Sequence, residues 1–429
     1  MTWYFYSIRI ADNRSTDREE AHNMKHPHGI ILASLVLLHG CAFSLLSGNF
    51  DRDVRAIETL SREAQALVDS AYRDIPPGKL VDCHLHVVGI NTAKTGCFVN
   101  ENMPRWWHPR AYIRYRLFLS AFGVDATDTT DEAMVRRLAS LARGMRGGGT
   151  FYILAMDKNY NRDGTENLPQ TEFYTPNNYV YEISRAHPDI FVPVVSINPY
   201  RKDAIAELER WAGNGVRMVK WIPNAQGIDP SDPAIDPFYR RMKALRMALL
   251  THGGEEKAVD AEEAQKLGNP LLLRRPLDIG VTIIVAHGAS LGRNIDLDDP
   301  EKKPADNFDL FLRLMDEKKY ERLLFADVSA QLQFNRLSKP LERILERTDL
   351  HHRLVNGSDY PLPAVNVVIQ TRVLARLGFI TAHERRCLNE IYRANPLLFD
   401  FVLKRTIRHP RTGARFPASV FTTGAVPVR

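Results

Sequence analysis

Two histidines separated by one residue stand in the first strongly apolar run that follows a turn-forming Pro-Pro-Gly sequence. The run covers residues 80–87 and is predicted to be a β-strand. His84 and His86 are two residues apart, so we expect their side chains on one face of this strand. Neutral imidazole is the commonest protein ligand for metal ions. The pair therefore predicts part of a site that chelates a single ion.

Three further residues of the right chemical type follow later apolar runs. His252 and His287 each end a predicted strand and precede a glycine, and Asp359 follows the last predicted strand. Three or four neutral imidazoles with one carboxylate suit a borderline divalent cation such as Zn²⁺. Asp359 is a candidate both to bind the ion and to accept a proton from water, whose pKa the ion lowers. We therefore predict a centre with one or two divalent ions.

The elements that must position these residues alternate between β-rich runs and helical patterns. This order predicts an α/β fold, a (β/α)8 TIM barrel of the metal-dependent hydrolase type, in which the active site lies at the carboxyl ends of the strands. A doubly wound open sheet is the alternative, but no Gly-x-Gly-x-x-Gly follows a strand. The predicted strands are residues 80–87, 150–156, 190–197, 215–222, 248–251, 281–286, 323–328 and 353–356, and the predicted helices between them are 130–143, 177–187, 201–212, 237–249, 306–317 and 339–348.

The histidine pair, His252, His287 and the segment 357–361 resemble the amidohydrolase superfamily in residue type and strand order. The similar branch is the amidohydrolase-related family that includes aminocarboxymuconate semialdehyde decarboxylase and lactone-hydrolysing relatives. The resemblance covers about residues 79–400. It implies that the ion is held by His84, His86, His252 and Asp359. It also implies that His287 binds a second ion, or orients the water and polarises the scissile group.

Lys220 ends the predicted fourth strand. In binuclear members of the superfamily a lysine at this place is carboxylated and bridges two ions, whereas in single-metal members it is structural or reaches the substrate. A charged lysine beside a dication is disfavoured by like charge. Lys220 must therefore lose its proton, gain CO₂ or point away, and it counts as a metal ligand only if it is carboxylated.

Two long segments, 89–129 and 157–176, follow the carboxyl ends of the first two strands and are predicted substrate walls or lids. In the first segment, His108 and Arg110 are candidates for binding an acidic small-molecule substrate, with a solvated loop as the alternative. Trp221 is a candidate wall of the pocket, or a core residue. Glu255 and Glu256 are interpreted as a solvated helix start.

The resulting functional hypothesis is a metal-dependent hydrolase that uses an activated water on a C–N or C–O bond, as in an amide or a lactone. A non-oxidative decarboxylase of an acidic, aromatic-like substrate is the first alternative, favoured if an arginine of residues 105–116 reaches the pocket. A catalytically inactive ligand-binding barrel is the second. The chain has 429 residues and a net charge of +6, without a basic run interleaved with aromatics, so nucleic-acid binding is not expected. Homo-oligomerisation stays open.

The N-terminal segment 1–47 resembles a lipoprotein signal. A short cationic stretch from Met24 precedes the apolar residues 29–38, which are too few to span a bilayer. The following Leu-His-Gly-Cys sequence resembles a bacterial lipobox in which Cys41 is lipidated, although its histidine departs from the usual small or apolar residue. We expect an envelope protein, lipid-anchored or periplasmic, and a cytoplasmic protein with a buried N-terminal helix is the alternative. Residues 48–78 are predicted as tether and leading helix, 79–405 as the barrel and 406–429 as a C-terminal tail.

If translation begins at Met24 and Cys41 is processed, the mature chain starts at a lipidated Cys41. Intact-mass analysis of protein extracted from membranes should then give the mass of residues 41–429 plus lipid. A mass that still contains residue 1 or residue 24 at the N-terminus would contradict this processing.

Overall fold

The computed structural model describes residues 54–124, 127, 129–259, 261–337 and 339–428. The predicted lipoprotein-like signal with Cys41 and nearly all of the predicted tether lie outside the described residues. Within the described residues, no helix combines the length and the apolar character needed to cross a membrane.

A closed ring of parallel strands forms the centre of the described chain. Hydrogen-bonded pairing runs from β1 through β2 to β3 and from β4 to β8. A bridge between Val195 and Val219 joins β3 to β4, and the amide of Cys83 donates to the carbonyl of Asn356, which joins β1 to the end of β8. The predicted (β/α)8 barrel is therefore confirmed. The strands are β1 (Leu80–His86), β2 (Gly149–Leu154), β3 (Phe191–Val194), β4 (Met218–Trp221), β5 (Ala248–His252), β6 (Ile283–Ala286), β7 (Leu324–Asp327) and β8 (Leu354–Val355).

Helices surround this ring and follow the sequence pattern closely, because each presents one apolar stripe to the strands. The largest difference is at the helix predicted over 237–249, which ends at Ala244, and Arg246 then takes a left-handed conformation (φ 53°) that turns the chain into β5. The helices are α1 (Arg62–Tyr72), α2 (Pro109–Ala121), α3 (Thr130–Arg143), α4 (Asn177–Ala186), α5 (Ala204–Gly213), α6 (Pro223–Gln226), α7 (Asp236–Ala244), α8 (Arg274–Ile279), α9 (Asn307–Asp316), α10 (Lys339–Glu346), α11 (Thr371–Arg376), α12 (Ala382–Ala394) and α13 (Pro396–Thr406).

The two long segments after β1 and β2 are tied together at the carboxyl end of the barrel. Phe98–Val99 in the first pairs in antiparallel fashion with Phe173–Tyr174 in the second. A second antiparallel pair, Arg293–Ile295 with Pro304–Asp306, follows β6. The first pair, with α2 beside it, builds one wall above the strand ends.

The C-terminal segment lies against the opposite end of the barrel. Phe421 is fully buried, Thr422 forms a bridge with Leu80 at the start of β1, and the amide of Thr423 donates to the carbonyl of Lys79. Val426 packs in the same apolar cluster as the inward-facing side chains of the strands. The segment predicted as a tail therefore covers the amino-terminal end of the strands, away from the histidines.

A β-bulge in β1 adjusts the strand that carries the histidine pair. Asp82 pairs with Phe151 and Leu85 with Ile153, so β1 holds one more residue than β2 in this interval. Cys83 therefore packs in the barrel interior, although strict alternation places it on the face opposite the histidines. Cys83 is completely buried.

Candidate metal centre

His84 and His86 at the end of β1 meet Asp359 at the end of β8. The Nε2 atoms of the two histidines are 3.2 Å apart. Asp359 Oδ1 lies 3.4 Å from His84 Nε2 and 3.2 Å from His86 Nε2. Asp359 holds a positive φ of 59°, a costly conformation for a residue with a side chain, and it aims the carboxylate at the pair. Three electron-pair donors thus converge at one place.

His252 and His287 complete the set from β5 and the turn after β6. The ring of His287 is stacked with that of His84 at 5.3 Å between centroids, and the His252 ring lies 5.3 Å from the His287 ring. His287 Nε2 is 3.7 Å from Asp359 Oδ2. The structure therefore brings together the five residues predicted from the ends of four strands.

An oxygen atom lies behind the Nδ1 atom of each of the three buried rings, as a hydrogen bond at His84 and His287 and as an ion-pair contact at His252. His84 Nδ1 is 2.8 Å from Asp327 Oδ2, and His252 Nδ1 is 3.3 Å from Glu256 Oε2. His287 Nδ1 is 2.7 Å from Ser329 Oγ, whose own proton is donated to Asp327. Each Nδ1 therefore carries the proton, and each Nε2 keeps its lone pair for a cation.

The electrostatics of the centre favour neutral imidazoles. Burial lowers the pKa of His84 and of His287 well below the ordinary value for histidine, and it lowers the pKa of His252 as well. Burial favours the neutral acid of Asp359, but the neighbouring groups His84, His86 and Lys220 outweigh it and hold the pKa of this carboxyl below its usual range. Neutral imidazole and ionised carboxylate are the forms that bind metal ions.

The donor set fits a divalent ion. His252 Nε2 is buried and has no hydrogen-bond partner among the described residues, although buried polar atoms are normally satisfied. The Nε2 atoms of His84 and His86 both lie within 3.4 Å of Asp359 Oδ1, so one ion could be held by all three residues. Imidazole nitrogens with one carboxylate oxygen form a ligand set that zinc and related divalent ions accept.

Lys220 points into this centre. Its Nζ lies 3.0 Å from His84 Nε2, its side chain is buried, and burial lowers its pKa. Of the three states expected beside a dication, the one in which the lysine points away is wrong. The neutral amine and the carboxylated lysine remain.

The three residues predicted to bind substrate do not line the cavity at the centre. Trp221 is fully buried behind β4, where its Nε1 donates to the carbonyl of Ile197 (2.8 Å) and its ring stacks on Phe238. His108 and Arg110 are exposed at the start of α2, because this helix turns its other side, with Phe118, towards the cavity. For Trp221 the structure thus agrees with the core alternative.

The cavity above the centre has a volume of about 110 Å³. Apolar side chains from α2 and the segments after β1 and β2 face it on one side, and polar side chains from the loop after β7 face it on another. Its lining comprises the centre itself together with Val88, Phe118, Phe122, Met156, Phe173, Ile222, Glu256, Lys257, Ala258, Val259, Leu291, Gln333, Asn335, Arg336, Pro361 and Leu362.

Three residues of the site were missed by sequence reasoning. Asp327 ends β7 as the predicted ligands end their strands, and that position was the signal that could have found it. Glu256 is buried against His252 and does not begin a solvated helix, since residues 253–259 form a loop. Arg336 lies in an irregular loop after β7, where the sequence carries no pattern that marks it.

Comparison with known proteins and protein families shows which family this chain matches. The family model described as amidohydrolase matches residues 81–397. No curated protein matches. Similar solved structures include 5-carboxyvanillate decarboxylase from Sphingomonas paucimobilis (12% identity, 81% of this chain and 97% of that chain, TM-score 0.47). They also include a TIM-barrel protein from Bordetella bronchiseptica (16% identity, 73% of this chain and 99% of that chain, TM-score 0.44). A third is 4-oxalomesaconate hydratase from Rhodopseudomonas palustris (14% identity, 72% of this chain and 92% of that chain, TM-score 0.38).

The family match spans most of the chain and contains all five histidine and aspartate residues of the centre. The chain therefore belongs to the amidohydrolase family. Members of this family are metal-dependent enzymes, and His84, His86 and Asp359 form a cluster that could hold a metal ion, so the predicted resemblance is confirmed.

Asp327→Asn should weaken metal binding by about 10- to 100-fold, because His84 then loses the carboxylate that holds its Nδ1 proton. Asp157→Asn is the matched control, since Asp157 is an equally buried carboxylate that pairs with Arg201 outside the cavity. Competition with a chromogenic chelator measures both affinities. Unchanged affinity in Asp327→Asn, or equal losses in the two variants, would contradict the orienting role.

Proposed function

We propose that this enzyme hydrolyses a C–N or C–O bond of a small molecule, such as an amide or a lactone, with Zn²⁺ as its ion. The observation that carries the proposal is the convergence of Asp359 with the Nε2 atoms of His84 and His86, with His252 and His287 beside them. When bound, a divalent ion supplies an acidified water and polarises the scissile group. Proton transfer and orientation of the water are carried out by side chains of this chain.

Asp359 and His287 both face the attacking water. Ionised at neutral pH, Asp359 is ready to accept the proton of that water and to return it to the leaving group. His287 Nε2, 3.7 Å from Asp359 Oδ2, keeps its lone pair and can orient the water. Ser329 accepts from Nδ1 and keeps the ring in this orientation.

Asp359→Asn should lower turnover by at least about 100-fold, because the amide cannot accept the proton. The ion should be retained at reduced occupancy, since three histidines stay in place. A panel of small lactones and N-acyl amides gives the rates, and Asp157→Asn serves as the control that keeps them. Turnover unchanged in Asp359→Asn would refute this role, and a metal-loaded wild-type protein inactive on the whole panel would refute hydrolysis.

The number of ions depends on Lys220. Among the described residues, the two clusters able to hold a metal share His84, so a second ion needs a further bridging anion, a role that a carboxylated Lys220 would fill. The neutral amine requires no such modification, because burial already lowers its pKa. We therefore propose a single-ion centre with an unmodified Lys220.

Elemental mass spectrometry of protein purified without added metal should find close to one ion per chain. Intact mass should show no loss of CO₂ on acidification. Close to two ions, with loss of one CO₂ per chain, would instead establish a carboxylated Lys220 and a binuclear centre.

Decarboxylation of an acidic substrate is the second candidate. The arginine that favours it lies in the cavity, but it is Arg336 from the loop after β7 and not a member of residues 105–116. Release of CO₂ per turnover separates decarboxylation from hydrolysis. The inactive ligand-binding barrel has less support, because the ligand set is complete and is backed by hydrogen bonds at His84 and His287 and by an ion-pair contact at His252.

We also propose that the enzyme is anchored in the bacterial envelope through Cys41. What supports this is the lipobox-like sequence after the short apolar run 29–38. The first described residue, Val54, leaves 12 residues between it and Cys41, so a lipid anchor would be joined to the barrel by a short segment.

A further inference from the structure

We propose that Glu256 is a positioning residue with two tasks: it holds His252 in the orientation that binds the ion, and it holds residues 257–259 as a wall of the cavity. Because one carboxylate performs both tasks, binding of the ion orders this wall. The proposal rests on the proposed function only in taking the cavity above the centre as the place where the substrate binds.

The carboxylate of Glu256 is buried in the loop after β5, with 7% of the residue exposed. Its Oε2 lies 3.3 Å from His252 Nδ1, as an ion-pair contact. Its Oε1 accepts from the amide of Ala258 at 2.5 Å and from the amide of Val259 at 3.1 Å. The two oxygens of one carboxylate therefore contact a metal-binding histidine and the backbone of the segment that follows.

The backbone of Glu256 is fixed by the side chain of Gln265. The amide of Glu256 donates to Gln265 Oε1 at 2.9 Å, and Gln265 Nε2 donates to the carbonyl of Glu256 at 2.9 Å. Asn224 Nδ2 in α6 donates to Gln265 Oε1 at 3.1 Å and to the carbonyl of Gly254 at 3.2 Å. Since its backbone is held in this way, the carboxylate of Glu256 is the part of the loop that links His252 to the wall.

Residues 257–259 line the cavity above the centre. Val259 packs against the apolar cluster that contains Met156 and Phe173, and both of these side chains face the same cavity. Without the carboxylate of Glu256, two amides of this segment would lose their acceptor. The position of Val259 against the cluster therefore depends on the residue that also orients the metal ligand.

The imidazole ring of His252 couples the two tasks. Its Nε2 is buried and has no hydrogen-bond partner among the described residues, so this nitrogen is the one open to the ion. A cation at Nε2 draws electron density from the ring and makes the Nδ1–H group a stronger donor to Glu256. The contact of 3.3 Å is longer than the roughly 2.7–2.9 Å of charge-assisted hydrogen bonds, which leaves it room to strengthen. Such coupling is reciprocal, so a ligand that packs against the ordered wall should tighten ion binding.

Hydrogen exchange in the presence of Zn²⁺ alone tests the coupling without substrate or turnover. In the wild-type chain, Zn²⁺ should slow exchange at the amides of Ala258 and Val259 by roughly threefold to tenfold, because the stronger contact with His252 restrains their acceptor. Mass spectrometry of peptides that cover residues 255–259 measures the exchange.

The variant Glu256→Gln separates the two tasks. Glutamine offers one oxygen and one NH₂ group, so it can accept from the wall amides or from His252, and not from both. Affinity for Zn²⁺, measured with a chromogenic chelator, should fall by about 10- to 100-fold. At saturating Zn²⁺ the slowing of exchange should be absent. Glu255→Gln is the matched control and should keep both properties, since Glu255 pairs with Lys257 at 2.5 Å and not with His252.

A structural role alone predicts a different result. Exchange in Glu256→Gln would then be faster than in the wild type, but Zn²⁺ would still slow it to the same degree. That result overturns the proposal, as does unchanged Zn²⁺ affinity in Glu256→Gln or wild-type exchange at residues 258–259 that does not respond to Zn²⁺. Glu256→Asp is the second variant should the first not fold: its side chain is one methylene too short for both contacts, so it should also lose the slowing. Lack of hydrolysis would refute the proposed function and leave these measurements unchanged.

Discussion

The hydrogen bond between His84 Nδ1 and Asp327 Oδ2 decides which nitrogen of the first ligand faces the centre. Asp327 also accepts from the amide of His287 at 2.9 Å, and from the amide and hydroxyl of Ser329. A fully buried carboxylate is tolerated only when its oxygens are satisfied in this way. Because these donors come from β1, from the turn after β6 and from the end of β7, one carboxylate sets the mutual position of three strand ends. The geometry of the ligands depends on this network before any ion is bound.

Residues at the same strand ends adopt unfavourable backbone conformations, which contacts with the rest of the barrel stabilise. His287 and Asp359 both have positive φ values, of 58° and 59°. The turn that carries Asp359 is held by Lys404 Nζ, which donates to the carbonyl of Gly357 at 2.6 Å, and by the amide of Ser358, which donates to Asp82 Oδ1 at 2.8 Å. Strain of this kind persists where the surroundings determine the conformation several times over. Strand ends and the short, constrained turns that follow them therefore position the ligands.

The difference between local sequence features and contacts between distant segments explains what the sequence could predict. The eight strands and five ligands follow from apolar runs and from the residue that ends each run, which are local features. The bulge in β1, the end of α7 at Ala244 and the burial of Glu256 are products of contacts between distant segments. The same holds for Arg336, which no periodicity marks, and for the C-terminal segment, whose Phe421 becomes a core residue only once the barrel has formed. His108 and Arg110 have the right chemistry, but α2 uses its apolar side to close the cavity and leaves them in solvent.

The arrangement of charge in the cavity bears directly on the reaction. The ligand set alone suits hydrolysis and decarboxylation equally, because both need a polarising ion beside a proton-handling pair. What separates them is the group of the substrate that meets the ion: an amide or ester carbonyl there is hydrolysed, whereas a carboxylate there is lost as CO₂. Arg336 lines the same cavity, and its charge adds to burial in lowering the pKa of His252 and of His287. The guanidinium is therefore close to the centre, and by itself it does not separate the two reactions.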